Sequence, residues 1–305
     1  MRRFAIIVAA ALAVCTGDAA TTSGAHDDSS QLAVQEPPIG GIHWARGQAP
    51  ARPGGGSPDL VYHDGPVMTQ GAYVEAIYWG ARWADPSFVA DKMSGLDAFY
   101  SGFGFSGYDA TNTEYADTSG LAVGNGVTLG GEHVDVSAAP RRAKTSSILS
   151  EVCSTATNLL SDGYYPVYVD TPRGHARFCA WHSVGTCPNG VTVQFAFFFN
   201  LDGDAGCDPQ DSSGSHSQGL AALANVSGHE LSEALTDPHL NAWYDSNGQE
   251  NADKCAWAFG TPLLTFSNSS HWKIQGNWSN AAFDGGTGYP NGSGQKGCID
   301  GGNFR

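Results

Sequence analysis

The chain has 305 residues, 41% hydrophobic and only 15% charged, with a formal net charge of -15. That apolar share can bury a sizeable core. The acidic balance, with no basic stripe, argues against a nucleic-acid-binding surface, and the wealth of Gly, Ser, Thr and Asn suits a loop-rich exported protein.

The N-terminus "MRRFAIIVAAALAVCTGDAA" sets two arginines before a short apolar run at 4–14. The run is too short to cross a bilayer but suits a signal-peptide core, so residues 1–20 are expected to be a signal peptide. Two readings of its end stand. Ordinary cleavage follows the small residues Gly17, Ala19 or Ala20, whereas "LAVC" resembles a lipoprotein box that would put a lipid anchor on Cys15. Residues 21–58 are rich in Ser, Asp, Gly and Pro and lack periodicity, which predicts a disordered tether. Residues 59–305 contain no internal repeat and no second long linker, so one domain is expected there.

Within that domain, "AYVEAIYWG" at 72–80 predicts a strand. Phe88, Met93, Leu96 and Phe99 recur at helical spacing and predict a helix over 87–103. Residues 120–131 suggest short strands around a tight turn. A second amphipathic helix is expected over 144–163, ended by Gly163. "YYPVYVDT" and "VTVQFAFFFN" are continuous apolar runs, the pattern of strands buried on both faces. The second run contains "VQFAFFF", the longest apolar stretch after the leader. It is only strand length, so no transmembrane segment is expected. A long helix over 220–236 should stop at Asp237-Pro238. This order predicts a single three-layer α/β domain with a mixed sheet, zincin-like around the last helix.

Apart from Cys15, the cysteines are Cys153, Cys179, Cys187, Cys207, Cys255 and Cys298. An even set in an exported chain implies up to three disulfides, and no C-x-x-C pair suggests a metal cluster instead. Closeness in sequence suggests Cys179 with Cys187. Late position suggests Cys255 with Cys298.

The chemistry concentrates in "VSGHELSEALTDP" at 226–238. A zinc-protease helix carries H-E-x-x-H, with two histidines on one face and a glutamate base between them. Here Glu233 stands where the second histidine would be. His229 and Glu233 are one turn apart and can reach one cation, which leaves Glu230 as a general base on bound water. One imidazole with carboxylates is a harder ligand set than two imidazoles. It suits zinc first, with calcium and manganese as further candidates. The third direction must come from another segment, and Glu250 and Asp253 in "GQENADKC" are the candidates. Asp237 lies about 12 Å along the axis from His229 and is assigned to the terminal turn.

On a helical wheel, Leu220, Leu223, Leu231, Ala234 and Leu235 gather on one side, and His229 and Glu233 project opposite. The competing reading is therefore a solvated acidic face. Elsewhere, Asn200, Asp202 and Asp204 resemble the start of a calcium loop but read better as an acidic turn pinned by Cys207. His175 and His182 read as structural hydrogen-bonding groups, and no G-x-S-x-G elbow is present.

"YHDGPVMTQGAYVEAIYWG", "FCAWHS", "VSGHELSEALTDPHLNAWYD", "ENADKC" and a late "GC" resemble, in the same order, the phosphate-induced, EXORDIUM-like secreted proteins of plants. The lipobox-like leader and the "TDP" helix end look like a bacterial-type member. The resemblance spans about residues 60 to 300 and implies export to a wall or matrix, with no settled biochemical activity. His229, Glu230, Glu233, Glu250 and Asp253 match the family pattern, and Asp237 departs from it. Two functions follow as expectations. One is a secreted metal-dependent, peptidase-like hydrolase acting on an extracellular peptide. The other is a non-catalytic domain at a cell wall or matrix, in which the same motif is structural.

Overall fold

The continuous apolar runs form the centre of a sheet. The computed structural model describes residues 36–51, 58–140 and 144–302. Among its strands are β1 (Gly40–Trp44), β2 (Val61–Tyr62), β3 (Ala72–Trp79), β4 (Val127–Asp135), β5 (Gly163–Pro172), β6 (Phe178–Thr186), β7 (Thr192–Asn200) and β8 (Trp243–Tyr244). Among the helices are α1 (Pro86–Val89), α2 (Lys92–Phe103), α3 (Thr145–Thr155) and α4 (Gln218–Thr236). One sheet runs in the order β1-β6-β7-β5-β3-β4, while β2 and β8 pair separately. The β3–β4, β3–β5 and β5–β7 pairs are parallel, and β6 is antiparallel to both β7 and β1. The expected mixed sheet is therefore present.

Register assigns the faces. Ala180 and His182 lie opposite Phe198 and Ala196, whereas Trp181 and Ser183 lie opposite Phe197 and Phe195. Residues paired across strands share a face. The first set faces α4: Tyr168 stacks on Phe198 and hydrogen-bonds the Ser227 hydroxyl of α4. The second set faces α3, where Leu149 lies against Gly185. Helices therefore cover both faces, and the domain has the expected three layers.

Several boundaries differ from the sequence reading. The 87–103 helix is two helices, because Ala90 takes a left-handed φ of 47°. The helix expected to reach Gly163 stops at Thr155. The buried Glu75 carboxylate accepts the backbone N–H groups of Thr157 and Asn158 and turns the chain away. A contact from another strand overrides local propensity here.

The tether assignment also needs correction. Residues 36–51 belong to the folded body. Gly40–Trp44 pairs antiparallel with β6 at the edge of the sheet, and Glu36 accepts from Ser146 at the start of α3. A five-residue strand containing Gly40 and Gly41 is too short and too glycine-rich to show an alternating pattern. The remaining tether residues, 21–35 and 52–57, lie outside the described residues, as do the signal segment and Cys15.

Three disulfides link Cys153 to Cys187, Cys179 to Cys207 and Cys255 to Cys298. The last pair is as expected. Cys179 with Cys187 is not, because the two lie at opposite ends of one extended strand, about 26 Å apart at 3.3 Å per residue. Cys179 instead pins the 200–211 loop, where Asp204 also pairs with Arg173 at 2.6 Å.

Candidate metal centre

Helix α4 starts at an N-cap: the Ser217 side chain accepts from Leu220 N–H. From Gly219 to Thr236 every residue is buried. The wheel's polar side is not solvated, because β1 and the loops around 250 and 275 cover it. Buried polar groups must then find partners inside the protein. Asn225 Oδ1 accepts from Gln275 N–H, Ser227 bonds Tyr168, and Ser232 Oγ accepts from Asn277.

His229, Glu230 and Glu233 meet residues from four other segments on this side. His229 Nε2 lies 3.1 Å from Glu233 Oε1 and 3.7 Å from Asp253 Oδ1. The Asp253 backbone N–H donates to the same Glu233 oxygen at 2.9 Å. The other Glu233 oxygen, Oε2, lies 3.7 Å from His182 Nε2, which lies 2.8 Å from Glu250 Oε2. The structure thus gathers His229, Glu230, Glu233, Glu250 and Asp253 in one place. Asp237 caps the turn as assigned, its Oδ1 accepting from Asn241 and Ala242 N–H, but it also reaches the cavity described below.

Three side chains of this centre were not singled out as site residues. His182 read as a structural group, yet the strand alternation of β6 turns it onto the α4 face. His43 sits in the segment expected to be a tether, and its ring lies 4.4 Å from that of His229. Gln275 bridges the two rings: its Oε1 accepts from His43 Nε2 and from Trp257 N–H, and its Nε2 donates to His229 Nδ1 and to Ala252 O. Gly41 completes the enclosure. A Cβ there would fall 1.8 Å from Glu233 Oε2 and 2.4 Å from the His182 ring.

Burial sets the electrostatics. It pushes Glu230, Glu233 and Glu250 well above the usual carboxylate range, and repulsion from neighbouring carboxylates adds to the rise. The backbone amides of His43 and Gly41 oppose the rise at Glu230 and Glu250. Asp237 rises to about 7, again from burial first. Burial lowers His43, His182 and His229, the last to about 4 even with Asp253 beside it. Among the described residues no Lys or Arg forms an ion pair with Glu230, Glu233 or Glu250.

These residues fit a divalent cation. His229 Nε2, Glu233 Oε2 and both Glu230 oxygens are buried without a well-formed hydrogen bond. His182–Glu230–Glu233 and His229–Glu233–Asp253 each bring three ligand atoms within 4.8 Å of one another. Gln275 sets one condition. Because its amide donates to Nδ1, the neutral His229 ring carries its proton on Nε2. Coordination through Nε2 requires the proton on Nδ1 and the Gln275 amide turned over, at the cost of its bonds to Trp257 N–H and Ala252 O, so Gln275 sets the ring's proton position as groups that orient metal-bound histidines do.

A cavity of about 340 Å³ opens beside the centre, lined by Gly41, Trp44, Asp237, Tyr244, Glu250 and Asp253 among others. His229, Glu230 and Glu233 stand behind that wall.

No family profile matches the chain, and no solved structure matches it. The chain is similar to Protein EXORDIUM-like 5 of Arabidopsis thaliana, 25% identical over a 247-residue alignment covering 68% of this chain and 67% of the relative. The resemblance read from the motifs is therefore supported over about two thirds of the chain. With three disulfides, this similarity fits an extracellular protein. No helix among the described residues is long and apolar enough to cross a membrane.

Proposed function

We propose that this is an extracellular EXORDIUM-like protein built around a buried divalent-cation centre whose role is structural. The unpartnered buried atoms of His229, Glu230 and Glu233 carry this reading. A cation would offset the cost of burying unpaired carboxylates and tie α4 to the 250–253 turn, beneath β1 and beside β6. His229, Glu233 and Asp253 would hold it, with zinc the first candidate for that set, and the extracellular partner would be a wall or matrix component. Glu230, behind β1 and away from the cavity wall, acts as a buried carboxyl group beside the cation rather than as a base.

One observation favours the alternative, a metal-dependent peptidase-like hydrolase. Glu250 and Asp253 belong to the centre and also line the cavity, so a coordination position could open toward solvent. Catalytic sites keep such a position, and structural ones close it. On that reading Glu230 is the base.

Metal analysis of the purified protein and thermal melts with and without chelator test the proposal. The expected result is bound divalent metal and a melt lowered by chelator, with both features lost in Glu233→Ala. Metal-free protein with a chelator-insensitive melt would overturn it. Cleavage of a peptide pool by the native chain but not by Glu230→Gln would replace the structural reading with the hydrolytic one.

A further inference from the structure

We infer that the centre holds two divalent cations bridged by Glu233, the second bound by His182, Glu230 and Glu250. This rests on the metal reading above and extends it to residues to which that reading gives no ligand role.

The two oxygens of Glu233 serve different neighbours: Oε1 faces His229 and Asp253, while Oε2 faces His182. The two sets of converging ligand atoms share only this residue. A carboxylate with one oxygen in each of two ligand sets is the arrangement a bridging ligand requires. Oε2 is buried and unpartnered, and both oxygens of Glu230 are buried without a well-formed hydrogen bond. If the only cation lay between His229, Asp253 and Oε1, Glu233 Oε2 would remain unsatisfied and Glu230 would have only the weakly placed His43 amide, although none of these oxygens reaches water.

Charge points the same way. Glu230, Glu233 and Glu250 are together three carboxylates with no lysine or arginine paired to them among the described residues, and Asp253 adjoins them. One divalent cation leaves a buried negative charge uncompensated, and a second removes that deficit. The second set is also the harder one, with three carboxylates to one imidazole, and it suits cations that prefer oxygen.

Gly41 supplies a third argument. Its backbone lies over Glu233 Oε2 and the His182 ring so closely that a side chain would occupy that position, which encloses this half of the centre. His182 Nδ1 is likewise buried without a partner, while Nε2 lies 2.8 Å from Glu250 Oε2, so both groups would have to give up that hydrogen bond to the cation.

The test is stoichiometry. The chain is stripped with chelator, loaded separately with zinc, manganese and calcium, dialysed against metal-free buffer and analysed by elemental mass spectrometry. Two equivalents per chain are expected with at least one of these metals. His182→Ala and the milder His182→Asn should each retain one. Glu233→Ala should lose both. One equivalent in the native chain overturns the two-cation inference and leaves the single-cation reading standing. No bound metal overturns both, and protons would then compensate the carboxylates. Two equivalents retained by both His182 variants would remove His182 from the site and overturn the assignment. The native measurement decides the count even if a variant fails to fold.

Discussion

Substituting Gly41 by alanine tests whether the segment before residue 59 is part of the fold. Gly41 has φ 34°, and a Cβ there would lie 1.8 Å from Glu233 Oε2 and 2.4 Å from His182 Cδ2. Both neighbours are fully buried and cannot swing into solvent. A left-handed alanine costs about 1–2 kcal/mol, and forcing extra volume into a packed interior costs about 1–3 kcal/mol. The sum is about 2–5 kcal/mol. Gly47 provides an internal control. It also has a positive φ, 71°, but a Cβ there meets nothing within 4 Å, so Gly47→Ala should cost only about 1 kcal/mol. In a domain of this size each kcal/mol moves the melting temperature by about 2–4 °C. The left-handed cost is common to both, so Gly41→Ala should melt about 2–12 °C below Gly47→Ala, measured by circular dichroism in parallel. It should also bind less metal, because the new methyl displaces Glu233 and His182. If the two variants melt within about 1 °C of each other, β1 is not seated on the centre, and the account of Gly41 fails.

Limited proteolysis should leave a core that begins before residue 40, and a chain beginning at residue 59 should melt lower than Gly41→Ala, because it lacks β1 altogether. Glu75 gives a pH signature. Burial alone would raise its pKa, but hydrogen bonds from Tyr73, Asn158, Thr157 and His133 outweigh it and hold the group at about 2, below its ordinary 4.5. Its stabilisation, on the order of 2 kcal/mol, is present above about pH 4.5 and fades as pH falls toward 2. Glu75→Gln should destabilise the protein at pH 7 and flatten that acid limb in urea melts; an unchanged pH profile would count against the network. Replacing Cys153 and Cys187 together by serine opens a closure of 34 residues and should cost about 2–4 kcal/mol. Thiol titration of that denatured, unreduced variant should find no free thiol among Cys179, Cys207, Cys255 and Cys298.

The sequence by itself determined the elements whose pattern is local. The strands at 72–79, 163–172 and 192–200 and the helix at 218–236 announce themselves by apolar run, periodicity and stop signals. The even cysteine set gave three disulfides, and one-turn spacing put His229 beside Glu233. Tertiary structure decided the rest. Cysteine pairing depends on which strand ends meet, so Cys187 joins Cys153 of α3 and not the cysteine at the far end of its own strand. Whether the ionisable side of α4 is wet or dry depends on what covers it, and the covers are a five-residue strand with no pattern of its own and loops with no periodicity. His182 and Gln275 lie 47 residues before and 46 residues after His229 in the chain. No local spacing links them to it. They meet because the register of β6 and the course of the late loops bring side chains from distant segments into one buried volume, where the low dielectric makes their charges matter.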